Sequence, residues 1–474
     1  MKNIALIAVA FLVTLSSCKK DFEELNTNPN SPTSVEPSLV LRQVLYNVGD
    51  EMAYEGYVAG NLLGQYYTMV DFNLFDRHSL LETQYGGNPW PLLYKSLRDN
   101  DVVLEQSQSN SVYAVYEGPA LILKSYLAGV LTDIYGDAPY SEALEGKDGN
   151  IAPKYDKQED IYKSAGGILD NLDKGIAAIN AYAGAQQLGG DILYNGDLNN
   201  WIKFANSLKI KYLLRMSDVE SVSARLQDIF NSGDYLKSNS ENATFDFTDG
   251  QPNNFRMAKL RDGDFNLFVM SETAEEILKK YNDPRIATLY RPTGSDTTGM
   301  VYKGLLNGQD ASSSSITVSD YSFAGTIFRE NTARLDANFM TAWETELLLA
   351  EAAQKGLISS SANTHYDNGV TLAFEYWGTN MPASYLTTDS SAYGNFGANT
   401  LEQIITQKWI ANTINGYESW IEYRRTGFPV LKQVSASLNN NLIPVKMPYP
   451  TDEATLNSAS FNAATGGNNS VNTK

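Results

Sequence analysis

The chain has 474 residues, and its 55 Asp and Glu outnumber its 36 Lys and Arg to give a formal net charge of −19 at pH 7. So acidic a chain lacks the basic surface that nucleic-acid phosphates and anionic lipid headgroups require, which argues against both as direct ligands. Hydrophobic residues make up 43 % and charged residues 19 %, which is typical of a globular protein with a sizeable core.

The first eighteen residues combine a short basic start, an apolar run and a cysteine. The apolar run from Ile4 to Leu15 has about the length of a signal-peptide core and is too short to span a bilayer. Cys18 directly follows Leu15-Ser16-Ser17 and is the only cysteine, so the chain has no disulfide framework. We therefore predict that residues 1–17 are a lipoprotein signal peptide and that Cys18 is lipidated, for example with palmitate. A secreted protein with an idle cysteine is the alternative.

Residues 18–38 are predicted to be a lipidated tether. The stretch from Asn26 to Pro37 is rich in Asn, Pro, Ser and Thr and shows no apolar periodicity, which is typical of an extended linker. Linkers of this composition do not recur before the C-terminal tail. We therefore expect residues 39–474 to form a single domain.

Apolar periodicity predicts a mainly α-helical domain with consecutive, closely linked helices. The predicted helices are 39–52, 57–70, 90–108, 113–135, 157–182, 198–217, 221–231, 271–281, 339–355, 365–377, 401–412 and 416–424. Consecutive pairs with short links favour a scaffold like that of tetratricopeptide proteins, although a fixed sequence period is missing. Residues 233–335 break this pattern with a loop-rich irregular insertion and short alternating runs at 243–247 and 316–321.

The helix that ends near Tyr135 is followed by a dense corner, Leu131 to Leu144, with the sequence LTDIYGDAPYSEAL. Gly136 is predicted to take a positive φ that ends the helix, and Pro139 prevents its resumption. Further along, Glu344, Glu346 and Glu351 lie on a Leu-rich helix, where they can pair with arginines such as Arg424 and Arg425.

The corner resembles the D-x-x-Y-G-D-x-P-Y-S-E-A motif of the SusD/RagB family of nutrient-binding outer-membrane lipoproteins from Bacteroidetes. Segments that resemble other family motifs occur before and after the corner, in the family's order, at 90–94, 191–215, 340–356, 365–378 and 405–429. The resemblance implies a SusD-like fold of paired helices and a position in the outer membrane, exposed on the cell surface. It also implies a SusC-like TonB-dependent transporter as partner, and the charged tract after Cys18 resembles the family's surface-export signal.

Catalytic signatures are scarce in the sequence. The two histidines, His78 and His365, lie far apart, and neither the H-E-x-x-H nor the G-x-S-x-G motif is present. The acidic residues leave a carboxylate pair for glycoside cleavage possible in principle. Asp191, Asn195 and Asp197 have oxygen ligands suited to calcium, but their spacing favours a capping turn. We predict a protein that is not an enzyme and that has no cofactor and no metal site.

The stretch from Tyr66 to Trp90 is the best candidate for a ligand-binding loop. It mixes aromatic rings with amide, carboxylate and guanidinium groups, which match the apolar faces and polar edges of sugars. A second candidate is Ser384–Phe396. The predicted ligand-binding residues are Tyr67, Phe72, Asn73, Arg77, Tyr85, Asn88, Trp90 and Tyr385. Packing of the first loop on its own domain is an equally good interpretation of the same residues.

Together these features predict a lipid-anchored surface protein that binds a nutrient and passes it to the transporter. An oligosaccharide is the favoured ligand, and a peptide is possible. The alternatives are a surface glycoside hydrolase and a lipoprotein that binds or scaffolds other proteins.

Overall fold

The computed structural model describes residues 35–81, 86–310, 312 and 315–473. The predicted signal peptide, Cys18 and most of the predicted tether lie outside the described residues. Helices make up most of the described chain, and the strands form three small antiparallel sheets. The mainly α-helical fold class is confirmed.

The α-helices begin and end at the following residues. They are α1 Pro37–Glu55, α2 Asn61–Leu63, α3 Trp90–Ser109, α4 Glu117–Tyr135, α5 Gln158–Lys163, α6 Ile168–Ala181, α7 Leu198–Met216, α8 Ser223–Ser232, α9 Asp262–Phe265, α10 Glu272–Lys280, α11 Ile286–Leu289, α12 Ala342–Gln354, α13 Ala362–Tyr376, α14 Thr400–Ala411, α15 Gly416–Thr426, α16 Thr451–Leu456 and α17 Ser458–Thr465.

The strands are short and lie mainly between α8 and α12. They are β1 Tyr67–Met69, β2 Ala138–Pro139, β3 Tyr155–Asp156, β4 Ala243–Asp246, β5 Phe268–Met270, β6 Tyr290–Thr293, β7 Ser322–Ala324 and β8 Asp336–Met340. The largest sheet has the order β1-β5-β7-β6, and β2 pairs with β3 and β4 with β8. In the first of these sheets, Tyr67 lies opposite Met270 and Met69 opposite Phe268.

Helices that are close in the sequence pack against one another, as the sequence predicts. The main contacts are between α1 and α3, α3 and α4, α4 and α6, α6 and α7, and α12 and α13. The contact between α4 and α6 is close because both helices carry a glycine at the interface. A Cβ on Gly118 would lie 2.4 Å from Ile179 Cγ1 and 2.8 Å from the carbonyl oxygen of Gly175. Most residues of α4 are buried, so this helix lies at the centre of the helical scaffold.

The predicted break between helices 39–52 and 57–70 is wrong. The helix α1 continues through a π-helical turn, Gly56–Gly60, directly into α2. The glycines of this turn allow close packing, because a Cβ on Gly60 would lie 2.3 Å from the main-chain nitrogen of Tyr417. The end of the predicted second helix forms the strand β1.

Two further predictions differ from the structure. The predicted helix 157–182 is two helices, α5 and α6, because Gly166 takes a φ of 78° between them. The alternating run 316–321 contains a 3-10 turn, Val318–Asp320, and the strand β7 begins just after it. The C-terminal helices α16 and α17 were not predicted.

The corner after α4 has the conformation that the sequence predicts. Gly136 lies at φ 81° and ψ −129°, a region open essentially only to glycine. Beyond it, β2 pairs with β3 so that Ala138 lies opposite Asp156. The Asp156 carboxylate accepts hydrogen bonds from the main-chain nitrogens of Tyr140 and Ser141, at 3.1 and 2.6 Å. These bonds hold the corner in a fixed shape.

A buried network of charged side chains joins α4, α7, α12, α14 and α15. Its acidic members are Asp133, Glu344, Glu351, Glu418 and Glu422, and its basic members are Lys211, Arg215, Lys408, Arg424 and Arg425. Arg425 binds Glu351 at 2.5 Å, as the sequence suggests, whereas Glu344 pairs with lysines and lies 2.8 Å from Lys211 Nζ.

Arg215 is central to this network because it bridges the corner and the last scaffold helix. It binds the Asp133 carboxylate and also Glu418, the latter at 2.5 Å. Burial alone would raise the pKa of Glu418, but Arg215 and Lys211 hold that pKa well below its usual range. The carboxylate is therefore ionised inside the protein.

None of the helices that the structure describes is long and apolar enough to cross a membrane.

We expect Gly136→Val to lower the free energy of unfolding by about 1–3 kcal/mol, because valine must adopt the positive φ of this corner. Apart from Gly136 and its two chain neighbours, no heavy atom of the described residues lies within 4 Å of the added Cβ, so the cost is one of backbone strain. Chemical denaturation of a chain lacking residues 1–18 measures it.

Gly146→Val is the matched control, since a Cβ there also meets open space and Gly146 is not among the positive-φ glycines. This variant should stay within about 0.5 kcal/mol of the wild type. Equal losses in the two variants would contradict the proposed strain at Gly136.

Candidate functional site

The loop that follows β1 presents an exposed aromatic ring. Phe72 is 55 % exposed and lies at a φ of 51°. A bulky residue rarely takes this left-handed conformation, and such strain concentrates at functional sites. The Asp71 carboxylate accepts the main-chain N–H of Phe72 at 2.8 Å, which helps to fix the turn.

Asp76 holds this loop against the rest of the domain. Its Oδ2 accepts the Thr68 hydroxyl at 2.5 Å and the main-chain N–H of Gly308 at 2.8 Å, and its Oδ1 accepts the Asn307 side-chain amide at 2.7 Å. Oδ2 also accepts a longer bond from the main-chain N–H of Met69. Burial raises the pKa of Asp76, and these hydrogen bonds oppose the rise. The carboxylate thus joins β1, its own loop and residues 307–308.

A third segment completes the same surface. The Arg77 Nε donates to the carbonyl of Ala436 at 2.8 Å, and the main-chain N–H of Leu438 donates to the carbonyl of Arg77 at 2.7 Å. The Arg77 side chain is 18 % exposed, with Nη1 3.8 Å from Asp310 Oδ1. We call loops 70–81, 305–310 and 436–442 together the Phe72 surface.

The Phe72 surface is held together by hydrogen bonds between its loops, and it combines apolar and polar groups. Leu438 and Leu442 are 49 % and 52 % exposed beside the loop. His78 Nδ1 lies 3.2 Å from the carbonyl of Leu442, and burial lowers the pKa of His78 to about 4, so the ring is neutral at pH 7. An exposed ring on the same surface as carboxylate and guanidinium groups can stack on a sugar while those groups bind its hydroxyls.

Several of the predicted ligand-binding residues are buried. Tyr67 contacts Tyr57 and Tyr290, and the Trp90 ring lies 4.7 Å from that of Tyr94. Trp90 also packs edge-on against Tyr135 and Tyr449. Stacking of either predicted ring on a ligand would require it to leave these contacts. Ligand binding by Tyr67 and Trp90 stays a prediction.

Tyr385 and Asn73 are also buried and bonded within the protein. The Tyr385 hydroxyl donates to the Asp283 carboxylate at 2.6 Å and accepts the Gln407 amide at 2.8 Å. The Asn73 amide donates to the carbonyl of Gln309 at 2.5 Å and so supports the Phe72 surface from below. The structure brings Phe72, Asn73 and Arg77 together in one loop, while Tyr385 belongs to a separate buried cluster.

The turn Gly86–Pro89 presents Asn88, which is exposed. Glu55, the last residue of α1, accepts the main-chain N–H of Gly87 at 2.6 Å. Burial raises the pKa of Glu55 to about 6, and hydrogen bonds from Gly87 and Tyr417 oppose the rise. The predicted contact Tyr85 lies outside the described residues.

The predicted capping turn at Asp191 is confirmed. Asp191 accepts hydrogen bonds from the main-chain nitrogens of Leu193, Tyr194 and Gly196 and from the Trp201 indole. Asp197 caps α7 through the N–H of Asn199. Among the residues that the structure describes, no group of three or more His, Cys, Asp or Glu side chains is placed to hold a metal ion.

A groove in the helical scaffold lies between α6, α7 and α8. Its volume is about 600 Å³, and its lining includes Ile202, Ile229, Asn199 and Asn206. The residues that line it include no aromatic ring, so it lacks the stacking face that a sugar site needs. The Phe72 surface is therefore the better candidate.

Comparison with known proteins places the chain in a family. A family model, SusD-like_2, described as starch-binding associating with outer membrane, matches residues 29–450. The chain belongs to this SusD-like family. No curated protein matches the sequence of this SusD-like protein.

Solved structures share the fold over nearly the whole SusD-like chain. A SusD homolog from Bacteroides fragilis is 22 % identical, with a TM-score of 0.78 over 93 % of this chain and 99 % of its own. A chitin-binding SusD homolog from Flavobacterium johnsoniae is 21 % identical, with a TM-score of 0.76 over 92 % and 97 %. A chitin-binding protein is 25 % identical, with a TM-score of 0.76 over 92 % and 98 %.

The candidate site of this SusD-like protein contains residues that the sequence did not predict. They are Asp76, Asn307, Gln309, Asp310 and Leu438. Asp76 lies within the predicted stretch, but its buried position depends on residues more than two hundred positions away. No local pattern carries that information.

We expect Asp76→Asn to loosen the Phe72 surface. The Asp76 carboxylate accepts hydrogen bonds at both oxygens, whereas an asparagine side chain can accept only at its single oxygen. At least one buried donor therefore loses its acceptor, at a cost of about 1–3 kcal/mol. Hydrogen–deuterium exchange should increase in loops 70–81 and 305–310.

Asp191→Asn is the matched control, since Asp191 is equally buried and accepts four hydrogen bonds in the turn before α7. It should lose similar stability without faster exchange in those two loops. Unchanged exchange there in Asp76→Asn would contradict the role assigned to Asp76.

Proposed function

We propose that this SusD-like protein binds an oligosaccharide on the Phe72 surface and delivers it to a SusC-like TonB-dependent transporter of the outer membrane. The observation that carries the proposal is the exposed Phe72 ring on a strained loop that Asp76 holds in place. A platform that is already ordered before binding saves the entropy of ordering it in the complex.

Chemical complementarity favours a sugar over other nutrients. The Phe72 ring offers a flat apolar face, and Asp71, Arg77 and Asp310 offer hydrogen-bonding groups on the same Phe72 surface. Sugar rings present C–H faces and hydroxyl edges that match this combination. The family description names starch, and two proteins of similar fold are named for binding chitin.

The charges at this surface favour a neutral glycan. Arg77 is largely engaged, since it donates to the carbonyl of Ala436 and lies near Asp310. Asp71 and Asp310 add negative charge, and the whole chain carries a net charge of −19. An acidic polysaccharide would therefore meet repulsion at this surface.

The anchoring part of the proposal rests on the N-terminal sequence. A lipidated Cys18 followed by the predicted tether would hold the domain at the outer membrane, on the outer face of the cell, beside its transporter. The role requires binding and release, with the glycosidic bonds left intact. Of the predicted contacts, Phe72, Arg77 and Asn88 have exposed or partly exposed side chains in the described structure.

Phe72→Ala should weaken oligosaccharide binding at least tenfold, since loss of a central aromatic anchor typically costs about 2 kcal/mol or more. Isothermal titration with neutral starch and chitin oligosaccharides, an acidic oligosaccharide and a peptide identifies the ligand class. Phe72→Tyr, which keeps the ring, should bind within about threefold of the wild type.

Melting temperatures exclude unfolding as the cause of lost affinity, and chromatography of the recovered ligand tests for cleavage. A wild type that binds no glycan, or returns it shortened, would refute the proposed function. Wild-type affinity in Phe72→Ala would refute only the site.

Cys18→Ala should release the protein from the membrane fraction and abolish palmitate labelling, because the only predicted acylation site is lost. Cell fractionation with metabolic labelling provides the measurement. Ser17→Ala, which keeps the cysteine, is the control that should stay in the membrane. Unchanged membrane retention and labelling of Cys18→Ala would rule out the lipid anchor.

A further inference from the structure

A serine, a histidine and a glutamate form a continuous hydrogen-bonded row beside the start of α13. The Ser360 hydroxyl lies 2.8 Å from His365 Nε2, and His365 Nδ1 lies 2.7 Å from Glu346 Oε2. Glu346 belongs to α12, Ser360 to the turn that follows α12, and His365 to the first turn of α13. The turn between two packed helices thus brings the three groups together.

The surroundings of His365 fix the orientation of its ring. Glu346 is buried, and His365 is its salt-bridge partner, so Nδ1 carries the hydrogen and donates it to the carboxylate. The Asn368 amide also approaches Glu346, at 3.5 Å, and the Phe230 ring packs edge-on against the imidazole. The lone pair of Nε2 is therefore directed at the Ser360 hydroxyl.

Ser360 itself is exposed, and the fold does not need its hydroxyl for capping. The neighbouring Ser361 caps α13 by accepting the main-chain N–H of Thr364 at 3.2 Å. The helix has 15 residues, and its first N–H groups, at Ala362 and Asn363, have no intrahelical acceptor. These N–H groups and the positive end of the helix dipole lie next to Ser360 in the chain, where they can stabilise an oxyanion.

We propose that Ser360, His365 and Glu346 form a serine-hydrolase triad that cleaves short acyl esters, such as O-acetyl groups. A nucleophile bonded to a base, with the base oriented by a carboxylate, defines such a triad by geometry and not by sequence motif. The exposed position of Ser360 suits an acyl group displayed on a large carrier. This activity is independent of the Phe72 surface.

The chemistry needs only the ester and water. Ser360 Oγ forms a bond to the ester carbonyl carbon while its proton moves to His365 Nε2, and the resulting oxyanion is held by the N–H groups at the start of α13. The bond to the alcohol oxygen then breaks, and the alcohol leaves with the proton from Nε2. Water, deprotonated by Nε2, attacks the acyl-serine and releases the carboxylic acid, which restores the Ser360 hydroxyl.

Glu346 is a positioning residue in this scheme. It holds the imidazole in the tautomer that can accept the serine proton, and it stabilises the imidazolium that forms. His365 is the group that moves the proton, and general acid–base catalysis of this kind contributes about 10²–10⁴-fold.

A fluorophosphonate probe tests the proposal, because it reacts with activated serines. Peptide mapping of the labelled full chain should find the adduct on Ser360, and Ser360→Ala should remove it. His365→Gln should slow labelling about 100-fold or more, in line with the loss of a general base. Hydrolysis of p-nitrophenyl acetate should fall to the buffer rate in both variants.

Ser361→Ala is the matched control, because it removes the helix cap and leaves the three triad side chains in place. It should lower the melting temperature and keep the label on Ser360. Absence of an adduct on Ser360 in the wild type would overturn the proposal, and so would equal labelling rates in the wild type and a folded His365→Gln. Because Ser360 is exposed, Ser360→Ala remains a valid test if His365→Gln does not fold.

Discussion

The scaffold depends on the balanced network of buried charges that joins five helices. Five carboxylates lie there beside five basic side chains; four of the basic groups bind a carboxylate, and Arg424 donates to the main-chain carbonyl of Asp133. Removal of water from each ion is costly, and only its partners offset that cost. Loss of one member, such as Arg215, would leave Asp133 and Glu418 buried without their main partner. The network therefore specifies how α4, α7 and α15 must meet.

The sequence predicted the helical class, most helix ends and the positive φ of Gly136, because these features follow from local patterns of apolar residues, glycine and proline. It did not predict the π turn, since Gly56 and Gly60 are helix-breaking in isolation and acceptable only where α15 packs closely against them. The break at Gly166 was missed for another reason: the apolar periodicity of the sequence continues across it.

In the candidate site too, local sequence shows which residues are aromatic, but contacts with the rest of the chain determine which of them are exposed. Phe72, Tyr67 and Trp90 are all aromatic residues in one stretch, and their sequence does not reveal that one is exposed and two are buried. That difference depends on Tyr290 and Tyr449, which pack against the buried rings from distant parts of the chain. The row of Ser360, His365 and Glu346 likewise exists only because α12 and α13 pack side by side.

The π turn between α1 and α2 also determines the direction in which the chain leaves the helix. A π turn holds one residue more than an α-helical turn, and each helical residue advances the chain by about 100°. β1 therefore leaves the helix on a different side from the one that an uninterrupted α-helix would give. The loop that carries Phe72 follows β1 and takes its direction from that strand. The number of residues between Gly56 and Gly60 therefore constrains where the Phe72 ring faces as strictly as the identity of any side chain.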